Sequence, residues 1–263
     1  MTSAPALELS TGTTPTTSGP SLRRLIAVEL RKLRDTRTGK VLLTVMMAAT
    51  VGIALLQRSA APPAEQSLSW FVGAAFVPLQ TLLPVVAVLA VTAEWTHGTA
   101  VTTFTLAPQR LAVATAKLVA ALSVTMVAAL AALGVGYGAA ASTSSAAGSA
   151  HAVWDLTLAA LAGTVARIVV FVLLGLGIAF LLRHGAGAIV AFFLLPLIVD
   201  ALAANVPSFQ RLTPWVTLDL VLDRMASGVM AGADWAHLAS SVTIWVLVPL
   251  VLGLARLSRT DII

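Results

Sequence analysis

The chain has no cysteine and little charge: only 10% of its 263 residues are Asp, Glu, Lys or Arg. The first absence excludes disulfides, thiol catalysis and cysteine-ligated zinc. The second bears on class, because a soluble domain carries about 25% charged residues. At 58% hydrophobic residues and a mean hydropathy of +0.95, the chain is too apolar to bury its surface in a water-soluble globule of this size. Phosphate-cradling Gly-x-x-x-x-Gly-Lys-Ser/Thr is also missing, as are His-Glu-x-x-His and any acidic cluster suited to a magnesium-bound pyrophosphate. His97 and His184 lack the set of three ligands that a metal site needs and read as plain interfacial histidines. No catalytic residue and no metal site is expected on this chain.

What is present is a series of long apolar runs. The strands of a membrane barrel would alternate polar and apolar residues; these runs are continuous, so they read as helices. The expected fold is an all-α polytopic membrane protein with six transmembrane helices at about 41–56, 70–93, 111–139, 156–182, 186–204 and 235–254. The first run, at ~1.5 Å per residue, covers about 24 Å of a ~30 Å hydrocarbon core, so Lys40 and Arg58 are expected to snorkel at its ends. Residues 1–20, rich in Ser, Thr and Pro, read as a disordered tail. Residues 21–38 read as an amphipathic helix lying in the interface. Leu22, Leu25, Ile26, Leu30 and Leu33 recur at helical spacing among Arg23, Arg24, Arg31, Lys32 and Arg34. Within the segment 205–234, residues 217–225 fit a short helix.

Cations orient the spans. With the N-terminus inside, the inner side holds Arg23, Arg24, Arg31, Lys32, Arg34, Arg37, Lys40, Arg110, Lys117, Arg183, Arg256 and Arg259. The outer side holds Arg58, Arg211 and Arg224. This bias predicts both termini in the cytoplasm and a cell-membrane location. Trp70, Trp154, Trp215 and Trp235 then fall near the outer edge, as interface aromatics do.

One polar segment interrupts the pattern, between the second and third runs. It contains Glu94, His97, Gly98, Thr99, Phe104, Pro108 and Arg110, with Lys117 following. Gly98 loosens the preceding helix and Thr99 is a fair N-cap for a short new one. Ala100, Val101 and Phe104 share one face of that helix, and Pro108 disfavours helix at Ala107. Glu94 has two readings: a carboxylate pairing Arg110 or Lys117, or a solvated interface charge.

Together these features resemble the membrane subunit of an ABC transporter, of the type-2 permease family. The resemblance spans about 22–263 and is carried by Glu94, His97-Gly98-Thr99, Thr105-Leu106, Pro108-Gln109-Arg110 and Lys117. The terminal Arg256-x-x-Arg259-Thr260-Asp261-Ile262 adds to it. Arg110 stands two residues after Pro108, nearer than in many members. The resemblance implies a coupling helix in the loop 94–110 that docks on a separate ATP-binding subunit. It implies two copies of that subunit, a second and identical permease chain, and ATP and Mg held by the partner and not by this chain. The implied function is export of a hydrophobic or amphipathic substrate.

Within the spans, Arg167 is the one deeply placed cation. It is expected to pair with Asp200 or Asp155, to line a cavity, or to snorkel. Pro78, Pro84, Phe192 and Phe193 line a substrate path or are packing and lipid-facing positions. Gly134-x-x-x-Gly138 is a candidate helix-packing face. Two other functions stay open: an intramembrane enzyme using Arg167 and Asp200 on a lipid-linked substrate, and a non-transporting immunity or sensor partner.

Overall fold

The computed structural model describes residues 20–60, 67–96, 98–99, 109–146 and 154–259. Every regular element among them is helical. In chain order these are α1 (Leu22–Asp35), α2 (Arg37–Ala60), α3 (Leu68–Thr96), α4 (Arg110–Ala146), α5 (Leu158–Leu182), α6 (Gly185–Asn205), α7 (Thr213–Val216), α8 (Leu218–Ala226), α9 (Gly232–Val242) and α10 (Val248–Arg259). A π-helical turn, Thr243–Leu247, joins α9 to α10. Pro249 lies just beyond it; its ring clashes with the carbonyl four residues back and it has no N–H to give, so the helix widens there instead of breaking.

Six helices are long and apolar enough to cross a membrane: α2, α3, α4, α5, α6 and the continuous run Gly232–Arg259. These are the six expected runs, extended by a few residues at most ends. The short outer helix expected at 217–225 is α8, one residue later at each end.

α3 and α5 form the centre. α4 and α2 pack on α3, α10 and α6 pack on α5, and α8 lies across α5. Phe71, Phe76 and Leu79 of α3, Ile168, Leu174 and Leu176 of α5, and Leu222 of α8 are fully buried. Lipid tails are as apolar as leucine, so helix association rests on close packing and not on water exclusion. The α4 sequence serves this with alanines: Ala116, Ala120 and Ala132 are fully buried and let α4 approach its neighbours.

Glycine placement departs from expectation. Gly134 and Gly138 are exposed, with open space where a Cβ would stand. The packing glycine of this stretch is Gly136, whose added Cβ would lie 2.9 Å from the Val72 Cα of α3. The spacing motif matched one helix face; the contact is made from another. Gly163 is tighter still, since an added Cβ would overlap the Met225 carbonyl oxygen of α8.

The ends of the helices sort into two sets. Arg110 Nη1 of α4 donates to the Leu257 carbonyl of α10 at 3.3 Å, and Arg256 Nη1 of α10 donates to the Leu181 carbonyl of α5 at 2.8 Å. The Arg183 guanidinium lies 4.7 Å from the centre of the Trp95 ring. α1 joins this end. At the other end, the Ser69 backbone N–H donates to Asp155 at 2.9 Å, and the Tyr137 and Trp154 rings lie 5.3 Å apart. The cation-rich segments thus share one end of the bundle.

Candidate functional site: a buried ion-pair quartet

Three helices contribute to the site. α3 carries Glu94 on its last turn, α4 carries Lys117 in its second turn, and α1 presents Glu29 and Lys32 three residues apart. Glu29 sits on the face defined by Leu22, Leu25, Ile26 and Leu33, so the packing of that face onto α4 carries the carboxylate inward.

Lys117 Nζ donates to Glu29 Oε2 at 2.8 Å, to Glu94 Oε1 at 2.9 Å and to the Ala90 carbonyl at 3.2 Å. An ammonium has three donors, and here all are used. Lys32 Nζ donates to Glu29 Oε1 at 2.8 Å and to Glu94 Oε1 at 2.9 Å. The side chains of Lys117, Glu29 and Glu94 are 4%, 6% and 9% exposed; that of Lys32 is 44% exposed. Two cations and two carboxylates leave no net charge, which is what lets the group sit at low dielectric. Burial works to lower the Lys32 pKa. The hydrogen bond and charge of Glu29, followed by those of Glu94, overcome it and raise the value above that of a free lysine.

Of the two partners anticipated for Glu94, the structure selects Lys117; Arg110 is occupied at Leu257. Gly98 adopts a left-handed φ of +66°, the conformation that lets α3 end here. The Thr99 hydroxyl lies 3.5 Å from the Glu94 carbonyl. His97, Phe104 and Pro108, and with them the short helix expected before Pro108, lie outside the described residues. His184 serves the fold directly, because its Nδ1 accepts from the Gly187 N–H at 3.0 Å and caps α6. The turn before it is made by Arg183, at φ +55°. Burial, then the charges of Arg256 and Arg110, hold the Arg183 pKa below the usual guanidinium value.

Arg167 does not pair with Asp200 or Asp155. Its Nη2 lies 3.0 Å from Asp219 Oδ1 and its Nη1 meets Asp223, both on α8. The reason is geometric: α8 packs onto α5 beside Gly163, and its two carboxylates, four residues apart, face one guanidinium. Burial pushes the Asp219 carboxyl up; Arg167 opposes this and the Asp223 charge adds to it. Asp155 is held below the usual carboxylate range. Burial would raise it, but the hydroxyl and backbone N–H of Ser69 prevail. Asp200 has Asp219 as its charged neighbour.

The other candidate positions separate. Pro78 and Pro84 are buried within α3, Pro84 at the crossing with Gly175 of α5. Phe192 is buried, its ring 6.2 Å from Phe171, whereas Phe193 is 45% exposed. In the single chain the first three are packing residues, and only Phe193 faces outward.

Sequence reasoning missed Glu29 as a site residue. A signal existed: it is the one carboxylate on the apolar face of a basic helix. Asp219 and Asp223 were missed because only the fold brings α8 to α5.

No protein-family model matches this chain, and no curated protein matches its sequence.

Proposed function

We propose that this chain is the permease subunit of an ATP-driven transporter of the ABC type-2 kind, exporting a hydrophobic or amphipathic substrate. It works as a pair of identical chains with two copies of a separate ATPase that holds ATP and Mg. The end carrying α1, Arg110, Arg183 and Arg256 faces the cytoplasm of a cell-membrane protein, following the positive-inside bias.

The observation that carries this reading is the quartet. It joins the end of α3 and the start of α4, the two arms that flank residues 97–109, to the N-terminal helix α1. A push on the segment between those arms therefore moves α1, α3 and α4 together. Without such a link, a displaced loop would simply bend. α3 is also the central helix of the bundle, so motion delivered at Glu94 reaches the core. The alternative of an intramembrane enzyme loses its Arg167–Asp200 couple, since the guanidinium is engaged by Asp219 and Asp223.

The chain is cysteine-free, so Thr99→Cys introduces a unique thiol. In sealed vesicles of known orientation, that thiol is expected to react only with reagent on the cytoplasmic side. Purified from native membranes in mild detergent, the tagged wild-type chain is expected to bring down an ATP-binding protein. The triple variant Gly98→Ala/Thr99→Ala/Phe104→Ala is expected to lose it. Labelling from the external side alone, or equal recovery of the ATPase with both chains, overturns the reading.

A further inference from the structure

α1 lies against the flank of the bundle and not beneath its end. Leu33 clusters with Val86 of α3 and Ala120 of α4. Val86 stands ten residues before the end of α3 at Thr96, and Ala120 ten residues after the start of α4 at Arg110. At ~1.5 Å per residue, those two helices run about 15 Å past the level of Leu33. α2 instead starts at that level. Only Thr36 separates it from α1, and its Gly39 abuts the Leu33 carbonyl oxygen. The apolar run of α2 begins at Val41. In a bilayer that α2 crosses, α1 is therefore at the depth of the lipid headgroups, with α3 and α4 projecting beyond it.

The two sides of α1 differ in charge. Glu29 and Leu33 are buried on the side facing the bundle. At ~3.6 residues per turn, Arg23, Arg24, Arg31 and Arg34 fall within an arc of about 100° on the other side. All four are exposed, as are Arg37 and Lys40 at the start of α2. The one exposed carboxylate of residues 21–40 is Asp35, 3.3 Å from Arg34 Nε. Among the described residues, no carboxylate pairs with Arg23, Arg24, Arg31, Arg37 or Lys40. The protein leaves this cationic excess uncompensated at its own surface. Phosphate oxygens can supply the partner. The planar guanidinium fork matches them in pairs, and a cluster of about four to eight Lys and Arg beside a span attracts anionic lipid.

We propose that the outward face of α1, continued by Arg37 and Lys40, is a docking surface for anionic phospholipids of the surrounding leaflet. Headgroup phosphates accept from the arginines, and the acyl chains stay in the bilayer. Zwitterionic lipids meet the same donors but bring no net charge to balance them, so anionic lipids gather there. α1 is then held on both sides, by the quartet and Leu33 on one and by headgroups on the other. The inference does not depend on the transporter reading and stands if no ATPase is found.

The chain is cysteine-free, so Ala27→Cys places a single dye within the arc, at an exposed position. The full-length chain in phosphatidylcholine nanodiscs receives a trace of acyl-labelled phosphatidylglycerol or acyl-labelled phosphatidylcholine. Energy transfer from the dye reports the labelled lipid gathered around α1. Transfer to phosphatidylglycerol is expected to exceed transfer to phosphatidylcholine about twofold or more at low salt, and the difference to vanish at ~1 M salt, where the Debye length is ~3 Å. Arg23→Gln/Arg24→Gln/Arg31→Gln/Arg34→Gln is expected to remove the preference with no change of unfolding temperature in detergent, because none of the four side chains belongs to the quartet. Should that variant not fold, the wild-type preference and its salt dependence decide the matter. Equal transfer to the two lipids, a preference unchanged at high salt, or a preference kept by the folded variant overturns the proposal. Equal transfer would leave this face to water or to an acidic protein.

Discussion

Replacing Lys117 by methionine tests whether the quartet is a single electrostatic unit. Methionine matches the buried stem of the lysine, so the change removes charge and hydrogen bonds with little change of packing. In the wild-type chain the Glu29 and Glu94 carboxylates, 6% and 9% exposed, share two cations. In Lys117→Met they face each other with Lys32 alone, and Lys32 is partly in solvent. Removing one partner of a buried pair leaves an uncompensated buried charge and costs about 3–5 kcal/mol. At ~1.4 kcal/mol per decade this is about two to three and a half orders of magnitude in the folding equilibrium. The same logic predicts repair. Lys117→Met/Glu29→Gln restores neutrality, with one carboxylate facing Lys32, and is expected to be more stable than Lys117→Met by about 1 kcal/mol or more. Lys32→Met is expected to cost less than Lys117→Met, because its charge is already partly hydrated. Denaturant titration in mild detergent, followed by tryptophan fluorescence, measures all four chains. A Lys117→Met cost below about 1 kcal/mol, or a double variant no better than the single one, refutes the argument that these charges are buried and mutually compensating.

Three further outcomes follow from the packing and the charges. Gly163→Ala drives a methyl carbon into the Met225 carbonyl oxygen and must displace α8; thermal unfolding is expected to report a loss of about 1–3 kcal/mol. Gly136→Ala is expected to destabilise in the same way against Val72, whereas Gly134→Ala, facing open space, is expected to stay within about 0.5 kcal/mol of wild type. The raised Lys32 pKa sets a pH response: its contribution is complete below the unfolded value of about 10.4 and is lost as pH rises through the higher folded value. Alkaline unfolding of Lys32→Gln is therefore expected to be less steep with pH than that of wild type.

The large features were legible because they rest on composition and period. Six apolar runs predict six helices wherever hydrocarbon is the solvent, and the structure adds only a few residues at the ends. Gly98 and Pro108 marked the break after the second run, and Gly98 does take the left-handed conformation. Glu94 with Lys117 was legible as one of two pairs because both lie at the exits of neighbouring spans. The partner of Arg167 was not. Charge pairing across a bundle depends on which connecting segment folds back, and nothing local to Asp219 or Asp223 distinguishes them from solvated carboxylates of a loop. The glycine pair failed for a related reason. In a helix made of alanine and glycine, a four-residue spacing recurs on every face, and only contact with α3 singles out Gly136.

The position of the quartet also follows from what each helix could do without it. α1 carries too many cations to insert across hydrocarbon and too many leucines to stay in water, so on its own it would lie at the interface in no fixed register. Burying Leu25 and Leu33 against the bundle orients its axis but leaves sliding along α4 inexpensive, since alanines offer a smooth surface. Glu29 removes that freedom: a carboxylate reached by two ammonium groups 2.8 Å away tolerates no one-turn shift. Buried polar groups used in this way set register while lowering stability. On this reasoning, an all-apolar replacement of Glu29, Lys32, Glu94 and Lys117 by residues of similar volume would leave the bundle folded, or more stable, while loosening α1. The signature is faster backbone hydrogen exchange in α1 with no loss of unfolding temperature. A replacement that unfolds the chain would mean that the charges supply net stability as well as register.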